Sequence, residues 1–501
     1  MRVRFAPSPT GILHIGGIRT ALYNYLLAKR HKGTFILRIE DTDQNRFVPG
    51  AEDYIIEALK WCGIEPEEGP GYGGNFGPYR QSERKSMYLQ YAQQLIENGN
   101  AYYAFDSAEE LDVARKADPN FMYNQLTRMQ MKNSLTIPAS EVEERLTKDD
   151  NYVIRLKVPD SGEIVINDLV RGKVVFDAKQ IDDKVMLKAD GMPTYHLANV
   201  IDDHLMEITD VIRGEEWLSS APHHVLLYKF LGWESTMPSF SHLPLILKPN
   251  GNGKLSKRDG PKFNIPIFPL AWEGNSPEEY VSGFRETGFL PEATINFLAL
   301  LGWNPGNDKE IYSLAELVEE FKIEKIHLGG ARFDFEKALW FNHQYIQATP
   351  DEELAKMISP LCKQKSYTTD ITYLTRLCQL MKNRIHLLPE FLTKAYYFFT
   401  DDLVYDHEMI HKKWNSSMSN TWESLTEYIK NADTIVAIEL EASVKTWMQE
   451  QQVKPGEILP LMRLALAGTM QGPGVFEMIE LLGMQRTILR MELALSVFNG
   501  I

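Results

Sequence analysis

The first fifty residues constrain the fold of this chain more than any other stretch of it. Residues 3–6 favour an extended strand, and Pro7 and Pro9 exclude a helix directly after it. An apolar periodicity of helical spacing then covers 15–29, and a second extended apolar segment covers 34–39. Strand, turn, helix and strand in this order are typical of the first half of an open α/β sheet.

The turn between the first strand and the helix suits an anion such as a phosphate. Gly11 opens the turn, and the helix N-terminus after it offers free amides and the positive end of the helix dipole. His14, Gly16 and Gly17 lie where a phosphate would bind, although a histidine that only caps the helix would give the same pattern. The second strand delivers acidic residues to the same edge of the sheet, where ligands bind in open α/β folds. These residues are Glu40, Asp41 and Asp43.

Length and composition exclude several classes of protein. A chain of 501 residues should hold three or more domains, and 44% apolar with 24% charged residues is typical of a globular protein. No apolar run approaches the ~18 residues of a membrane span, and no apolar signal core follows the N-terminus. Three scattered cysteines, Cys62, Cys362 and Cys378, favour a reducing cytosol. The net charge of −15 argues against a general nucleic-acid coat protein but permits a local basic groove.

A second cluster of chemistry-bearing residues lies in the basic segment 254–258, which reads Lys-Leu-Ser-Lys-Arg. Gly251, Gly253 and Gly260 flank it, so the loop can move. Three cations on a mobile loop suit a polyphosphate whose charge shifts as pyrophosphate leaves. A solvated basic loop is the alternative, and the spacing of a P-loop is absent.

The apolar pattern divides the rest of the chain. Over 101–190, charged helical segments such as 121–132 precede short alternating strands, which predicts an inserted α+β module. The α/β pattern resumes over 191–240. Beyond residue 280 the pattern is almost wholly helical, and no further strand is expected. The C-terminal helical segments are 352–361, 368–383, 420–430, 434–450, 456–467 and 474–482.

Six motifs together resemble those of the glutamyl-tRNA synthetases, class I aminoacyl-tRNA synthetases of the bacterial type. The motifs are Arg4–Gly11 with His14–Gly17, Arg38–Asp43, Gly77–Arg84, Pro193–Asn199, Asp210–Trp217 and Lys254–Arg258. The resemblance covers essentially the whole chain. It implies an enzyme that uses ATP to ligate L-glutamate to tRNA(Glu) through glutamyl-adenylate, forming Glu-tRNA, AMP and pyrophosphate. The family usually requires the tRNA even for glutamate activation.

The resemblance also implies a domain order. A Rossmann-like catalytic domain of the α/β class is split by an α+β insertion that grips the acceptor end of the tRNA, and all-helical domains follow. The expected ranges are 1–100 and 191–240 for the catalytic halves, 101–190 for the insertion, 241–345 for a stem-contact domain with the basic loop, and 346–501 for a helical anticodon-binding domain.

Catalytic residues follow from the same resemblance. His14 and Gly16 would contact the phosphates of ATP, and Lys254 and Lys257 would stabilise the leaving pyrophosphate. Charge placement of this kind needs no covalent nucleophile. Gly17 stands where the family signature often has a second histidine, so His14 would carry more of the charge stabilisation. The expected ATP-binding residues are His14, Gly16, Gly17, Glu216 and Lys257.

Glutamate needs a cation for its side-chain carboxylate and an acceptor for its ammonium group. By resemblance the glutamate site consists of Arg4, Ala6, Ser8, Glu40, Tyr195, Asn199 and Arg213. Arginine binds a carboxylate through two parallel hydrogen bonds. The amide of glutamine would leave the arginine unpaired, so the site would discriminate glutamate from glutamine. Arg4 and Arg213 are both candidates for this contact. As an alternative, Arg4 forms an ion pair with Asp41 or Asp43, which are themselves expected to be structural anchors rather than metal ligands.

The insertion and the C-terminal part carry further expectations. Residues 101–106 contain no cysteine where some family members bind zinc, so no structural zinc is expected. The aromatic residues of this segment would pack in a core rather than stack on a base. Arg384 and Arg463 fall where the family uses arginines against anticodon bases, with ordinary exposed helix arginines as the alternative. The segment 259–279, with four prolines, is longer than expected and has no assigned role.

The remaining expectations concern partners and rival functions. The resemblance implies ATP with Mg²⁺ as the nucleotide, no metal site of the protein's own, a monomer, and a cytoplasmic location without membrane contact. A glutaminyl-tRNA synthetase is the nearest rival, but its anticodon end is typically a β-barrel. A small-molecule adenylyltransferase would not need the helical residues after 290, and a non-catalytic tRNA-binding relative would not need His14, Lys254 and Lys257.

Overall fold

The computed structural model describes residues 1–148, 150–251, 253–274, 280–367 and 369–500. The chain forms two compact units. The first unit consists of Met1–Glu286 and Pro291–Phe335, and the second of Thr287–Leu290 and Glu336–Ile501.

The strands of the first unit are β1 (Arg2–Phe5), β2 (Thr34–Leu37), β3 (Ala101–Ala104), β4 (Val153–Leu156), β5 (Glu163–Asp168), β6 (Gly172–Asp177), β7 (Val185–Leu187), β8 (Asp210–Gly214), β9 (Ser239–Leu243), β10 (Ile246–Leu247) and β11 (Ala331–Arg332). Its helices are α1 (Ile15–Arg30), α2 (Ala51–Trp61), α3 (Lys85–Glu97), α4 (Ala108–Ala117), α5 (Ala139–Thr147), α6 (Tyr195–Leu205), α7 (Ala221–Phe230), α8 (Asp259–Phe263), α9 (Phe284–Thr287), α10 (Pro291–Leu300) and α11 (Leu314–Glu320), of which α9 ends within the second unit.

The central sheet of the first unit has the strand order β2-β1-β8-β9-β5-β6. All neighbouring pairs are parallel except β5 with β6, which form an antiparallel hairpin. The predicted open α/β sheet is therefore present. The hairpin β5–β6 comes from the segment expected to form an inserted module, yet it extends this sheet, and only β3, β4 and β7 form a separate antiparallel sheet.

Helix α1 fixes the position of the N-terminal turn. Its inward face, including Ile18, Leu22 and Leu26, is fully buried. Side chains at this spacing lie on one face of a helix, so their burial against the sheet holds the N-terminus of α1 beside the end of β1. The carboxyl ends of β1, β8 and β9 meet there, which is where an open α/β sheet binds ligands.

The predicted helix over 121–132 is wrong. This segment is a chain of turns with a single 3₁₀ turn at Arg128–Gln130. The side chain of Asn124 accepts hydrogen bonds from the amides of Leu126 and Thr127, and Asn133 accepts one from Leu135. Asparagine side chains compete with the helix for backbone donors in this way, which the apolar periodicity does not reveal. The expectation of no strand after residue 280 is also wrong, because the two-residue strand β11 pairs with β10.

The second unit is helical in its described part. Its helices are α12 (Phe335–Ala348), α13 (Asp351–Gln364), α14 (Ile371–Met381), α15 (Glu390–Thr393), α16 (His407–Lys413), α17 (Ser419–Lys430), α18 (Ala437–Glu450), α19 (Pro455–Ala467), α20 (Val475–Leu482) and α21 (Met484–Gly500). The predicted helices over 420–430, 434–450, 456–467 and 474–482 are confirmed, with the same last residue and a first residue that differs by one to three positions. Residue 368, at the start of another predicted helix, and 275–279, at the end of the proline-rich segment, lie outside the described residues.

Candidate active site

A cavity of about 350 Å³ lies at the carboxyl ends of β1 and β8 and beside the N-terminus of α1. All residues expected to bind ATP or glutamate line it. They are Arg4, Ala6, Ser8, His14, Gly16, Gly17, Glu40, Tyr195, Asn199, Arg213, Glu216, Lys254 and Lys257. The structure thus brings together residues that are more than 250 positions apart in the sequence.

His14 both caps α1 and faces the cavity. Its Nδ1 accepts a hydrogen bond of 2.9 Å from the amide of Gly16. Burial, with the nearby Lys257 as a second cause, lowers the pKa of His14 to about 4. The imidazole is therefore neutral at pH 7, and because Nδ1 accepts, the ring proton lies on Nε2. That N–H is a hydrogen-bond donor for an anion.

Neighbouring side chains lie close to the two glycines at the start of α1. A Cβ on Gly16 would lie 2.6 Å from Cε1 of His14, and one on Gly17 would lie 2.2 Å from Cδ1 of Leu13. Leu13 therefore fills the space that a side chain at position 17 would need. The amide of Gly17 donates 2.8 Å to the carbonyl of His14, so this amide is already paired.

The basic loop lines the cavity, although Lys254, Lys257 and Arg258 are exposed. Lys254 Nζ lies 2.7 Å from Glu216 Oε1. Lys257 Nζ lies 2.9 Å from the position that a Cβ on Gly11 would occupy, and partial burial lowers the pKa of Lys257. Asp259 closes the turn of the loop by accepting from the amide and hydroxyl of Ser256 at 2.8 and 2.6 Å. Both lysines are therefore next to the turn that begins with Gly11.

Arg4 is already engaged by a carboxylate. Its Nε and Nη2 donate to the two oxygens of Asp203 at 2.9 and 3.2 Å, and both side chains are buried. The alternative that Arg4 pairs with Asp41 or Asp43 is therefore wrong in its partner, although a fold-stabilising ion pair does exist. Asp41 accepts from the amide and hydroxyl of Ser82 and is a structural anchor, as expected.

Glu40 belongs to a buried network in which charges balance. Its Oε1 accepts from Arg38 Nη2 and from Asn199 Nδ2, each at 3.0 Å. Burial raises the pKa of Glu40, and Arg38 and Arg4 oppose this rise. The network as a whole pairs three arginines with three carboxylates, namely Arg4, Arg38 and Arg84 with Glu40, Asp202 and Asp203.

Arg213 differs from these arginines because its charge has no carboxylate partner among the described residues. Its Nε donates 3.0 Å to His242 Nε2 and its Nη1 donates 2.8 Å to the hydroxyl of Tyr195, with His224 Nδ1 at 3.3 Å. Burial lowers the pKa values of His242 and His224, so both rings are neutral. Nη2 of Arg213 is buried with no hydrogen-bond partner in the described part of the chain.

Several residues behind the cavity were not among the predicted site residues. Asp203 is one helical turn beyond Asn199 on α6, so an i, i+4 relation to a predicted site residue was the available signal. His242 is paired with Arg213 in the register of β8 and β9. Asp168 lies behind His242 at the end of β5. Strand register between distant segments leaves no local signal in one sequence.

The aromatic residues of 101–106 pack in a core, as expected. Tyr102 is 1% exposed and donates 2.7 Å to Asp183, and Phe105 is 8% exposed. Across the described ranges, no group of three or more histidine, cysteine, aspartate or glutamate side chains could hold a metal ion. None of the helices that the structure describes is both long and apolar enough to cross a membrane.

Arg384 and Arg463 both lie in the second unit, and the charges of both oppose the rise in pKa that burial causes at Tyr397. The guanidinium of Arg384 is exposed, whereas Arg463 is partly buried and donates to the carbonyl of Pro473. Burial lowers the pKa of Arg463, and the charge of Arg384 contributes to this shift. Arg463 is therefore not an ordinary exposed helix arginine. Arg384 is exposed, as the alternative of an ordinary surface arginine predicts.

The sequence and the fold both match known proteins. Residues 1–340 match the family described as tRNA synthetases class I (E and Q), catalytic domain, and residues 353–495 match an anticodon binding domain. The glutamate–tRNA ligase of Porphyromonas gingivalis is 51% identical over 500 residues, covering 100% of this chain and 99% of the relative. The Bacteroides fragilis glutamate–tRNA ligase is 49% identical with the same coverage.

A solved structure shares the whole fold. A glutamate tRNA ligase from Elizabethkingia meningosepticum, crystallised in complex with its amino acid, superposes with a TM-score of 0.96 at 44% identity and covers 99% of each chain. The cavity, the fold and the catalytic-domain match place the chain among the class I tRNA synthetases.

Full-length similarity narrows this class further. Within the class I tRNA synthetases, the chain belongs to the glutamate–tRNA ligase family and is an aminoacyl-tRNA ligase. The predicted family and the predicted fold class, a Rossmann-like catalytic part followed by helical domains, are confirmed.

Proposed function

We propose that this chain ligates L-glutamate to tRNA(Glu) in two steps. A carboxylate oxygen of glutamate attacks the α-phosphorus of ATP, which forms glutamyl-adenylate and releases pyrophosphate. A hydroxyl of the 3′-terminal adenosine then attacks the carbonyl carbon, which forms Glu-tRNA and releases AMP. The observation that carries the proposal is Arg213, a buried cation without a carboxylate partner in the described structure that lines the same cavity as His14 and Lys257.

Arg213 is our candidate for the side-chain carboxylate of glutamate. Its Nη2 needs an acceptor, and a carboxylate supplies one together with the missing negative charge. Arg4 is less suited because Asp203 already neutralises it. The amide of glutamine would leave the charge of Arg213 unbalanced in a buried site, which is costly and gives the discrimination.

Glu40 is our candidate for the ammonium group of glutamate. The support is that Arg38 and Asn199 both donate to Oε1, whereas Oε2 of Glu40 has no hydrogen bond in the described residues. Ala6 and Ser8 line the cavity directly after β1, and we assign them to the same substrate. The hydroxyl oxygen of Tyr195 accepts a hydrogen bond from Arg213, so the O–H of Tyr195 is available to donate to the substrate carboxylate.

The phosphates of ATP would meet His14, Lys254 and Lys257. The neutral imidazole of His14 donates its Nε2–H, and the two ammonium groups balance the charge that develops on the leaving pyrophosphate. Glu216 would bind the adenosine, which requires it to exchange its ion pair with Lys254. Gly16 and Gly17 line the cavity at the start of α1, and we assign them to the nucleotide.

We assign Mg²⁺ to the nucleotide rather than to the protein. The described residues contain no cluster of three acidic, histidine or cysteine ligands, so the ion would enter bound to ATP, where it neutralises phosphate charge. The absence of a structural zinc ion stays a prediction. We further propose that the enzyme acts as a monomer in the cytoplasm.

The C-terminal unit would bind the anticodon through Arg384 and Arg463. The support is that the charges of both arginines oppose the rise in pKa that burial causes at Tyr397, so both act on the same part of the second unit. The helical second unit favours glutamate over the glutamine-specific rival, whose anticodon end is typically a β-barrel. We also assign the acceptor end of the tRNA to the segment 101–190 and the stem to 241–345.

Aminoacylation with purified tRNAs tests the proposal. The chain should attach labelled glutamate to tRNA(Glu) and should not attach labelled glutamine. Attachment of glutamine, or no attachment of either amino acid, would overturn the proposed function. A parallel reaction with tRNA(Gln) measures whether that tRNA is charged with glutamate as well.

A further inference from the structure

A buried histidine–aspartate pair lies directly behind Arg213, outside the cavity lining. His242 Nδ1 is 2.6 Å from Asp168 Oδ2, and both side chains are completely buried. On the other side of the ring, Nε2 accepts 3.0 Å from Nε of Arg213. The three side chains therefore form one chain of hydrogen bonds from a buried carboxylate to the cavity.

The hydrogen bonds fix which nitrogen of His242 carries the proton. A carboxylate accepts only, so Nδ1 must donate to Asp168 and Nε2 is left as an acceptor. Only this tautomer can receive the Nε–H of Arg213. Because Tyr195 accepts from Nη1, two of the three guanidinium nitrogens are held and the remaining Nη2 is oriented by them.

We propose that Asp168 and His242 are positioning residues that aim Nη2 of Arg213 at the side-chain carboxylate of glutamate. The inference rests on the proposed function, because it concerns how that substrate is selected. The neutral imidazole holds Arg213 without neutralising it, whereas a carboxylate in the same place would compete with the substrate. The imidazole of His242 lies between the carboxylate of Asp168 and the guanidinium of Arg213, so the negative charge does not contact Arg213 directly.

The same aspartate ties this arrangement to the hairpin β5–β6. Its Oδ1 accepts from the amides of Val170 and Arg171 at 3.0 and 2.8 Å, which closes the turn between the two strands. Arg171 in turn forms an ion pair with Glu215 and donates to the carbonyl of His242. The end of the hairpin is therefore bonded to the strand that carries His242.

Asp168→Asn is the sharpest perturbation because the structure determines how the new amide must turn. The amides of Val170 and Arg171 donate to Oδ1 at 3.0 and 2.8 Å, whereas the only backbone amide at Oδ2 in the described residues is that of His242, which lies 3.1 Å from Oδ2 and 3.3 Å from Oδ1, so the oxygen of the new amide is expected at Oδ1. The NH₂ group of asparagine would then lie at Oδ2 and donate to Nδ1 of His242. The imidazole of His242 would then carry its proton on Nε2. Two N–H donors, from His242 and Arg213, would face each other, and the hydrogen bond between these residues would be lost. A histidine held in the wrong tautomer loses its function in the same way.

Glutamate binding, measured by calorimetry, is the first readout. We expect Asp168→Asn to weaken it about tenfold or more, the size of one lost hydrogen bond to a charged group. The KM for ATP should stay unchanged, and the preference for glutamate over glutamine in pyrophosphate exchange should fall. Asp183→Asn is the matched control, because Asp183 is also completely buried and bonded but does not touch Arg213.

Substitutions of His242 supply the second readout. His242→Leu removes the acceptor and should weaken glutamate binding at least as much as Asp168→Asn, whereas His242→Gln offers an oxygen to Arg213 and should retain more of it. Equal glutamate binding by Asp168→Asn and the unsubstituted protein would overturn the inference. The inference would also be overturned if Asp168→Asn and Asp183→Asn both weakened glutamate binding and raised the KM for ATP to a similar extent, because a merely structural role predicts that result. Failure of the proposed function is distinct, because the unsubstituted protein would then form no Glu-tRNA.

Discussion

Replacing Arg4 and Arg213 one at a time by alanine should separate a structural arginine from a substrate-binding one. Both are buried and line the cavity, but only Arg4 is paired with a carboxylate, Asp203. Arg213 donates to the neutral groups of His242 and Tyr195. We therefore expect Arg4→Ala to affect mainly folding stability and Arg213→Ala to affect mainly glutamate binding.

The magnitudes follow from the contacts. Removing Arg4 breaks a buried ion pair and leaves Asp203 with Arg38 alone, which should cost about 3–5 kcal/mol of unfolding free energy. Removing Arg213 leaves no buried carboxylate without a partner. It removes up to two charge-assisted hydrogen bonds to glutamate, each worth about 1.5–3 kcal/mol, so the KM for glutamate should rise about 100-fold or more.

Urea unfolding and the KM for glutamate, measured for both variants, test this reasoning. The KM for ATP serves as the internal control, because neither arginine is assigned to the nucleotide. A KM for glutamate of Arg213→Ala within a factor of three of that of the unsubstituted protein would refute the substrate-binding role of Arg213, a result that fails the prediction. The prediction fails equally if Arg4→Ala unfolds at the same urea concentration as that protein.

Three further predictions concern catalysis, tRNA binding and pH. Lys257→Ala should slow adenylate formation by about 100-fold or more while tRNA affinity, measured by filter binding, is unchanged, because its ammonium meets charge that develops in the transition state. Arg384→Ala and Arg463→Ala should raise the KM for tRNA(Glu) and leave the KM for glutamate unchanged; an unchanged KM for tRNA(Glu) would refute an anticodon contact for that arginine. Burial lowers the pKa values of His14 and His196 to about 4 and about 3, so below pH 6.5 these histidines bind protons in the unfolded chain but stay neutral in the folded chain. The free energy of unfolding should therefore decrease as the pH falls below 6.5, by about 1.4 kcal/mol per histidine at pH 5.5. In urea titrations, His196→Gln should make this pH dependence smaller.

The N-terminal strand, turn and helix could be predicted from sequence because their signals are local. Proline after β1, the glycines of the turn and the 3.6-residue periodicity of α1 each act within a few residues. The C-terminal helices could be predicted for the same reason. The segment 121–132 could not, because its asparagine side chains replace helical hydrogen bonds with turn bonds that an apolar pattern does not encode.

The cavity lining could be predicted only through whole motifs, and the contacts behind it could not. Arg4 and Asp203 lie 199 positions apart, and their ion pair depends on how α6 packs against β1. Likewise, Asp168 reaches His242 only because the hairpin β5–β6 joins the central sheet beside β9. Which of two arginines keeps a free charge is a property of that packing, since the two residues look alike in sequence.

Pyrophosphate exchange into ATP, measured with glutamate or glutamine and with or without tRNA(Glu), shows which amino acid the enzyme activates and whether activation needs the tRNA. We expect exchange with glutamate only, and only when the tRNA is present. Exchange driven by glutamine, or by glutamate without tRNA, would contradict this expectation.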